Sequence, residues 1–196
     1  MSPVGDCAKG PHGPIGQWDV SRVTDMSELF EGAASFNADI SNWDVSAVIY
    51  TSNMFRGATS FDADISKWKV SRVIFMDGMF DSAVSFNAAI SNWDVSVATT
   101  MRNMFNNARS FNGDVSKWDV TRVTDMASMF KGATSFNADI SAWAVSSVAT
   151  MRYMFTGANA FSRTLCGAWK DAGATTTDMF KGSSGGFCFG QLQNIL

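Results

Sequence analysis

The stretch Trp118-Asp-Val-Thr-Arg-Val-Thr-Asp-Met-Ala-Ser-Met-Phe-Lys-Gly-Ala-Thr-Ser-Phe-Asn-Ala-Asp-Ile-Ser-Ala142 decides the fold, because nearly the whole chain is built from versions of it. Tryptophans recur at Trp18, Trp43, Trp68, Trp93, Trp118 and Trp143, each 25 residues after the last. Phenylalanine keeps the same step from Phe30 through Phe55, Phe80, Phe105, Phe130 and Phe155 to Phe180. A fixed period in the twenties marks a solenoid: one unit cannot bury its apolar side alone and gains a core only by stacking on its neighbours. The expected architecture is a repeat solenoid with full coils at 18–42, 43–67, 68–92, 93–117, 118–142 and 143–168. A half-coil N-terminal cap at 1–17 precedes them, and a degenerate C-terminal repeat and cap at 169–196 follows.

With Trp as slot one, the unit reads W-D-V-S-x-V-T-D-M-x-x-M-F-x-G-A-x-S-F-N-x-D-I-S-x. Slots three to nine are rich in β-branched residues, as in Val20-Ser21-Arg22-Val23-Thr24, which predicts a short extended segment. Slots nine, twelve, thirteen and sixteen, as in Met126, Met129, Phe130 and Ala133, follow i, i+3, i+4, i+7, the spacing of one helix face. A Thr or Asp ahead of the slot-nine Met suits an N-cap, and the Gly at slot fifteen suits an exit after about two turns. Each coil is thus expected to hold a short parallel strand, a short helix and a return loop anchored by residues such as Phe136, Ile140 and Trp143.

Composition narrows the function. Apolar residues make up 46% of the chain and aromatics 13%, enough for a sizeable core. Charged residues are 17% and the formal net charge is −3, so no basic field draws nucleic acid or anionic lipid. No basic run leads into an apolar stretch at the N-terminus and no long apolar segment follows, so neither a signal peptide nor a membrane span is expected. The three cysteines lack CxxC spacing. Cys166 and Cys188 lie 22 residues apart, close to one period; a disulfide and a pair of buried thiols both fit, and Cys7 is left over.

The units at 18–41 and 118–141 resemble the repeat of BspA-like leucine-rich-repeat surface proteins, a repeat also abundant in mycoplasma lipoproteins and in protist and algal proteins. The resemblance covers about 15–168. It implies a right-handed, leucine-rich-repeat-like coil, display on cell surfaces, and roles in adhesion and protein binding, with no catalysis, no cofactor and no active-site motif to carry over. Local departures are Lys69, Ala89 and Ala144 at slots usually held by Asp, and the absence of a lipoprotein cysteine leaves a cell-surface or extracellular location resting on the resemblance alone.

Candidate sites follow from irregularities. The slot-two aspartates (Asp19, Asp44, Asp94, Asp119) and slot-twenty-two aspartates (Asp39, Asp64, Asp114, Asp139) form rows that suit either a calcium ladder or, more simply, turns in which Asp accepts backbone N–H groups. Asn37, Asn87, Asn112 and Asn137 read as a loop-stabilising ladder. The single His12 sits in the Pro/Gly-rich cap, and no catalytic constellation can be named, so a non-enzyme is expected. Slots seven and eight are Thr24-Asp25 and Thr124-Asp125 in two coils but Ile49-Tyr50 and Ile74-Phe75 in the second and third. Together with Val97 these could form one exposed apolar patch for a protein partner, or the isoleucines could turn inward to compensate for Thr51 at slot nine. Other expectations are a fixed subunit of a larger assembly anchored by the tail Phe187–Leu196, and a calcium- or glycan-binding solenoid.

Overall fold

The computed structural model describes residues 11–188, so Cys7 and the tail from 189 to 196 lie outside the described residues. The coils stack in parallel at the period of the sequence. One continuous line of bridges runs Asp25↔Tyr50↔Phe75↔Thr100↔Asp125↔Thr150↔Thr175, all at slot eight. Regular elements are few among the described residues: a 3-10 turn at Ile15–Gln17, strand β1 at Thr164–Leu165, helix α1 at Ala168–Asp171 and strand β2 at Gly186–Phe187. β1 and β2 pair in parallel, Thr164 opposite Gly186.

The helix expected over slots nine to sixteen is not formed, and the reason lies in the backbone. In the fifth coil Met129, Lys131 and Ala133 donate to the carbonyls of Met126, Ser128 and Phe130, each three residues back. The alternate N–H groups, on Met126, Ser128, Phe130 and Gly132, leave the coil and donate to Thr150, Arg152, Met154 and Thr156 of the next, at 2.8–3.0 Å. An α-helix spends all its interior N–H groups on itself; here every second one joins neighbouring coils. Such a chain of tight turns needs φ > 0 at every fourth residue, and slots eleven and fifteen supply it: Ser128 has φ 57° and Gly132 φ 68°. Repeating turns of four residues bury slots nine, twelve, thirteen and sixteen, so they mimic the apolar spacing of a helix.

The extended segment also shrinks. Val48 donates back to Val45 at 2.9 Å, which closes a turn over slots three to six, and only slot eight makes a bridge. In the second coil the segment Val48-Ile49-Tyr50-Thr51 has buried ends and two outward residues between them, a corner rather than an alternating strand.

Inside, each slot-thirteen ring lies on the slot-nineteen ring of its own coil, as Phe80 does on Phe86 with centroids 3.8 Å apart. The same rings stack from coil to coil, Phe80 on Phe105 at 5.6 Å. Tryptophans form a second column, Trp68 on Trp93 at 6.5 Å with planes 5° apart. Such pairs add about 0.5–1.5 kcal/mol each beyond the burial of their area. At slot twenty a side-chain ladder runs along the surface: the Oδ1 atoms of Asn37, Asp62, Asn87 and Asn112 accept the backbone N–H of the residue 25 positions on, at 2.8–2.9 Å.

The last coil absorbs its irregular length in β1 and α1. Trp169, in α1, is buried and reaches the Ile140 carbonyl at 3.2 Å, and Phe180 is back in register on Phe155 at 5.7 Å. Phe187 meets Phe180 edge-on at 5.1 Å, and Cys166 is bonded to Cys188 with Cα atoms 5.1 Å apart.

Candidate functional site

Slots seven and eight lie outside the core in each of the six coils, next to slot nine, which is buried in all six, and slot six, which is buried in all but the first coil, where Val23 is exposed. In the first, fourth, fifth and sixth coils they carry Thr, Asp or Ala. Threonine there turns its hydroxyl onto the stack, as Thr124 Oγ1 does to the Thr99 carbonyl at 3.1 Å. In the second and third coils the same positions carry Ile49-Tyr50 and Ile74-Phe75.

The structure brings these four together. Tyr50 and Phe75 are bridged through their backbones, and their rings stack with centroids 5.3 Å apart and planes within 4°. Tyr50 is 42% exposed and Phe75 half-buried. Ile49 and Ile74 lie beside them, tied by the bond from Ile74 N–H to Ile49 C=O at 3.0 Å. Both isoleucines are half-buried, and neither belongs to the core nor to the partly buried apolar residues packed against it. Thr51, by contrast, is buried, and its hydroxyl donates to the Phe75 carbonyl at 3.1 Å. It leaves a void of about 10 Å³ whose lining includes Met26, Trp68 and Met76 but neither isoleucine. Val97 sits at slot five, in the turn Val95–Ala98 ahead of the bridged row, half-buried and outside the row itself.

Polar groups frame the patch. On one side Asp25 accepts the Ser27 N–H at 2.9 Å, and bonds from Ser27 hold its carboxyl below the usual range. On the other, Thr100 donates to Asp77 Oδ1 at 2.5 Å. Burial pushes the Asp77 carboxyl up, the Thr100 bond opposes that, and the charge of Asp125 adds to it.

The aspartate rows are occupied by turn bonds. Asp39 Oδ1 accepts both the N–H and the hydroxyl of Ser41, at 3.0 and 2.6 Å, and Asp19 and Asp119 treat Ser21 and Thr121 alike. Asp64, Asp114 and Asp139 accept the N–H of Ser66, Ser116 and Ser141 at 2.9–3.0 Å. Asp44 and Asp94 do so for Ser46 and Ser96 at 3.0 and 3.1 Å. Serine bonds hold Asp39, Asp64, Asp114 and Asp139 below the usual carboxylate range.

One exposed aromatic escaped the sequence reading. Tyr153 is 37% exposed at slot eleven with φ 59°, where other coils carry Gly, Asn, Ser or acidic residues, and Lys131 Nζ lies 5.8 Å over its ring. The signal was available: a bulky residue in a slot that requires a left-handed backbone is uncommon. No helix among the described residues is long and apolar enough to cross a membrane.

No curated protein matches the chain. A family model described as "Mycoplasma protein of unknown function, DUF285" matches twice in tandem, at residues 2–101 and 88–186. The paired matches span the coils from end to end, and this tandem-repeat chain belongs to that family.

Proposed function

We propose that the chain is a non-catalytic interaction module whose solenoid holds a protein partner at Ile49, Tyr50, Ile74 and Phe75, with Val97 at the margin. The observation that carries this reading is the Tyr50–Phe75 stack, exposed on a row that is polar or small in the other coils. Aromatic groups on a rigid backbone contribute large contact area at little entropic cost, which is why they anchor interfaces. The resemblance of the repeat to BspA-like, leucine-rich-repeat surface proteins supports the same direction, adhesion or protein binding at a cell surface.

A protein partner fits better than a glycan. Rings 5.3 Å apart with nearly parallel planes cover each other's inner faces, so the pair offers edges and an apolar ridge rather than a flat double platform for a sugar. The aspartate rows likewise have oxygens committed to Ser and Thr, which disfavours a calcium ladder. The subunit reading draws less support, since Phe187 turns onto Phe180 and the rest of that tail lies outside the described residues.

The test is site-specific photo-cross-linking in the native source, with benzoylphenylalanine at position 50 or 75 and, as control, at position 63. The expected result is one protein adduct from 50 and 75 and none from 63, lost when Ile49 and Ile74 are changed to Thr. Equal labelling from all three positions, or an adduct indifferent to Ile49→Thr and Ile74→Thr, overturns the reading.

A further inference from the structure

We infer that Asn112 is a self-modification site, at which the backbone nitrogen of Gly113 attacks the side-chain amide and the folded chain ages to aspartyl and isoaspartyl forms. Asn112 is the one asparagine of the chain that a glycine follows. Slot twenty carries Asn37, Asn87 and Asn137 in the same ladder, followed by Ala38, Ala88 and Ala138. The ladder activates all four side chains alike. Backbone N–H groups of Asp62, Asn112, Asn137 and Ser162 donate to the Oδ1 atoms of Asn37, Asn87, Asn112 and Asn137 at 2.9, 2.9, 2.8 and 3.2 Å. Such a donor draws electrons from Cγ and receives the charge that grows on Oδ1 as a nucleophile adds. What differs is the nucleophile. The nitrogens of Ala38, Ala88, Gly113 and Ala138 make no hydrogen bond among the described residues, but only Gly113 has no Cβ beside its nitrogen to obstruct the approach. Asp77-Gly78, the chain's Asp-Gly pair, shows what closes the route. There the Gly78 N–H donates to the Arg102 carbonyl at 2.8 Å, so the nitrogen is tied to the neighbouring coil and cannot turn on Asp77.

The reaction balances with water alone. The Gly113 nitrogen gives up its proton and bonds to Asn112 Cγ; the Cγ–Nδ2 bond breaks, and the departing group takes that proton and leaves as ammonia. Asn112 is exposed and its Nδ2 makes no bond among the described residues, so nothing holds the leaving group. Holding nucleophile and electrophile in one dipeptide makes the attack intramolecular. One water then opens the cyclic imide. Opening at Cγ gives aspartate; opening at the backbone carbonyl gives an isoaspartyl link, in which the main chain runs through Cβ and Cγ. The ladder accepts the first product, since Asp62 holds the same slot and its Oδ1 accepts the Asn87 N–H at 2.8 Å. The second inserts a carbon into the main chain between Phe111 and Val115, both fully buried. Phe111 lies on Phe105 at 3.9 Å and on Phe136 at 6.0 Å, so the added length falls on the close-packed core of the fourth coil.

Peptide mapping of the folded chain, aged in mildly alkaline buffer, tests this, because Asn37, Asn87 and Asn137 serve as controls within the same molecule. Asn112 is expected to lose most of its amide form, read as the mass change of NH2 to OH, before any of the three loses a detectable share. Electron-transfer fragmentation should find both aspartate and isoaspartate at position 112. Asp77 is expected to stay unisomerised until urea unfolds the chain and frees the Gly78 nitrogen. Gly113→Ala, which restores the residue of Ala38, Ala88 and Ala138, should slow Asn112 to the rate of its three counterparts. A Cβ there stands 3.0 Å from Phe111 Cε2, so melting of that variant is read alongside. The comparison among the wild-type sites does not depend on it. Equal conversion at all four asparagines overturns the inference. So does an Asn112 that stays intact in the folded chain under conditions that convert the free peptide 108–116, or isomerisation of Asp77 in step with Asn112.

Discussion

The indole of Trp93 donates to the carbonyl of Ile65, 28 residues earlier, at 3.1 Å, and that same oxygen accepts the backbone N–H of Trp68 at 3.1 Å. Both lone pairs of a buried oxygen are thus used, once by its own coil's successor and once by the next. Trp43, Trp68, Trp118 and Trp143 repeat the pattern on Ile15, Ile40, Ile90 and Val115. Trp93→Phe keeps the stacked ring and removes one bond, so we expect a loss of about 1–2 kcal/mol in urea unfolding. Trp18, whose indole bonds to the exposed His12 carbonyl at 3.2 Å, should tolerate the same change with a much smaller loss.

Thr51 stands where five other coils carry Met26, Met76, Met101, Met126 and Met151. It leaves the void between the second and third coils. Thr51→Met fills it with the side chain that the neighbouring slots already accommodate. The gain should be about 1 kcal/mol, read as a higher melting temperature, even though the hydroxyl bond to Phe75 is lost.

Slot fifteen separates backbone cost from steric cost. Gly32 has φ 69° with open space where a Cβ would stand, whereas at Gly132, φ 68°, a Cβ would meet the Asn107 Oδ1 atom. Gly32→Ala should cost about 1 kcal/mol for the left-handed backbone alone. Gly132→Ala should cost more, and Gly132→Ala with Asn107→Gly should recover the difference, which a double-mutant cycle in denaturant would read.

Two sets of carboxylates give opposite pH dependence. Asp39, Asp64, Asp114 and Asp139 have folded-state values lowered by serine bonds, so their contribution is present above the unfolded value near 3.8 and fades as pH falls through the folded one. Asp77 and Asp81 are raised by burial, so the folded chain binds their protons more readily, and stability from them falls as pH rises through the folded value. Asp77→Asn is therefore expected to melt higher than wild type at pH 7, with the gap closing toward pH 3. Asp114→Asn should show the reverse: a deficit at neutral pH that shrinks in acid.

The 25-residue period and the core positions were legible because stacking forces each slot to repeat; Trp, Phe and Met could occupy no other face. The asparagine ladder was legible for the same reason, although Asp62 takes one rung that the asparagine pattern alone left out. The helix was a misreading with a physical source. Tight turns of four residues place Met126, Met129, Phe130 and Ala133 on one side just as a helix does, and apolar spacing cannot tell them apart. The discriminating column was slot eleven, where Asn53, Gly78 and Asn103 are types that take a left-handed backbone readily and Ser128 takes it as well. Glu28 and Tyr153 obscured that column. The apolar row Ile49-Tyr50 and Ile74-Phe75 was visible as a departure from the repeat, whereas Val97, one coil on, stands at slot five in the turn Val95–Ala98 ahead of the bridged row.

Because the coil-to-coil bonds run along the axis of the stack, a load applied to its two ends meets them one coil at a time. The molecule should pay out as a spool, each step through the coils ahead of the Cys166–Cys188 loop releasing 25 residues, or about 80 Å of slack once the coil's own thickness is subtracted. Successive steps should be nearly equal in force and length, since the coils are nearly equal in sequence. A stack built this way yields gradually to tension along its axis and recoils from whichever coils remain.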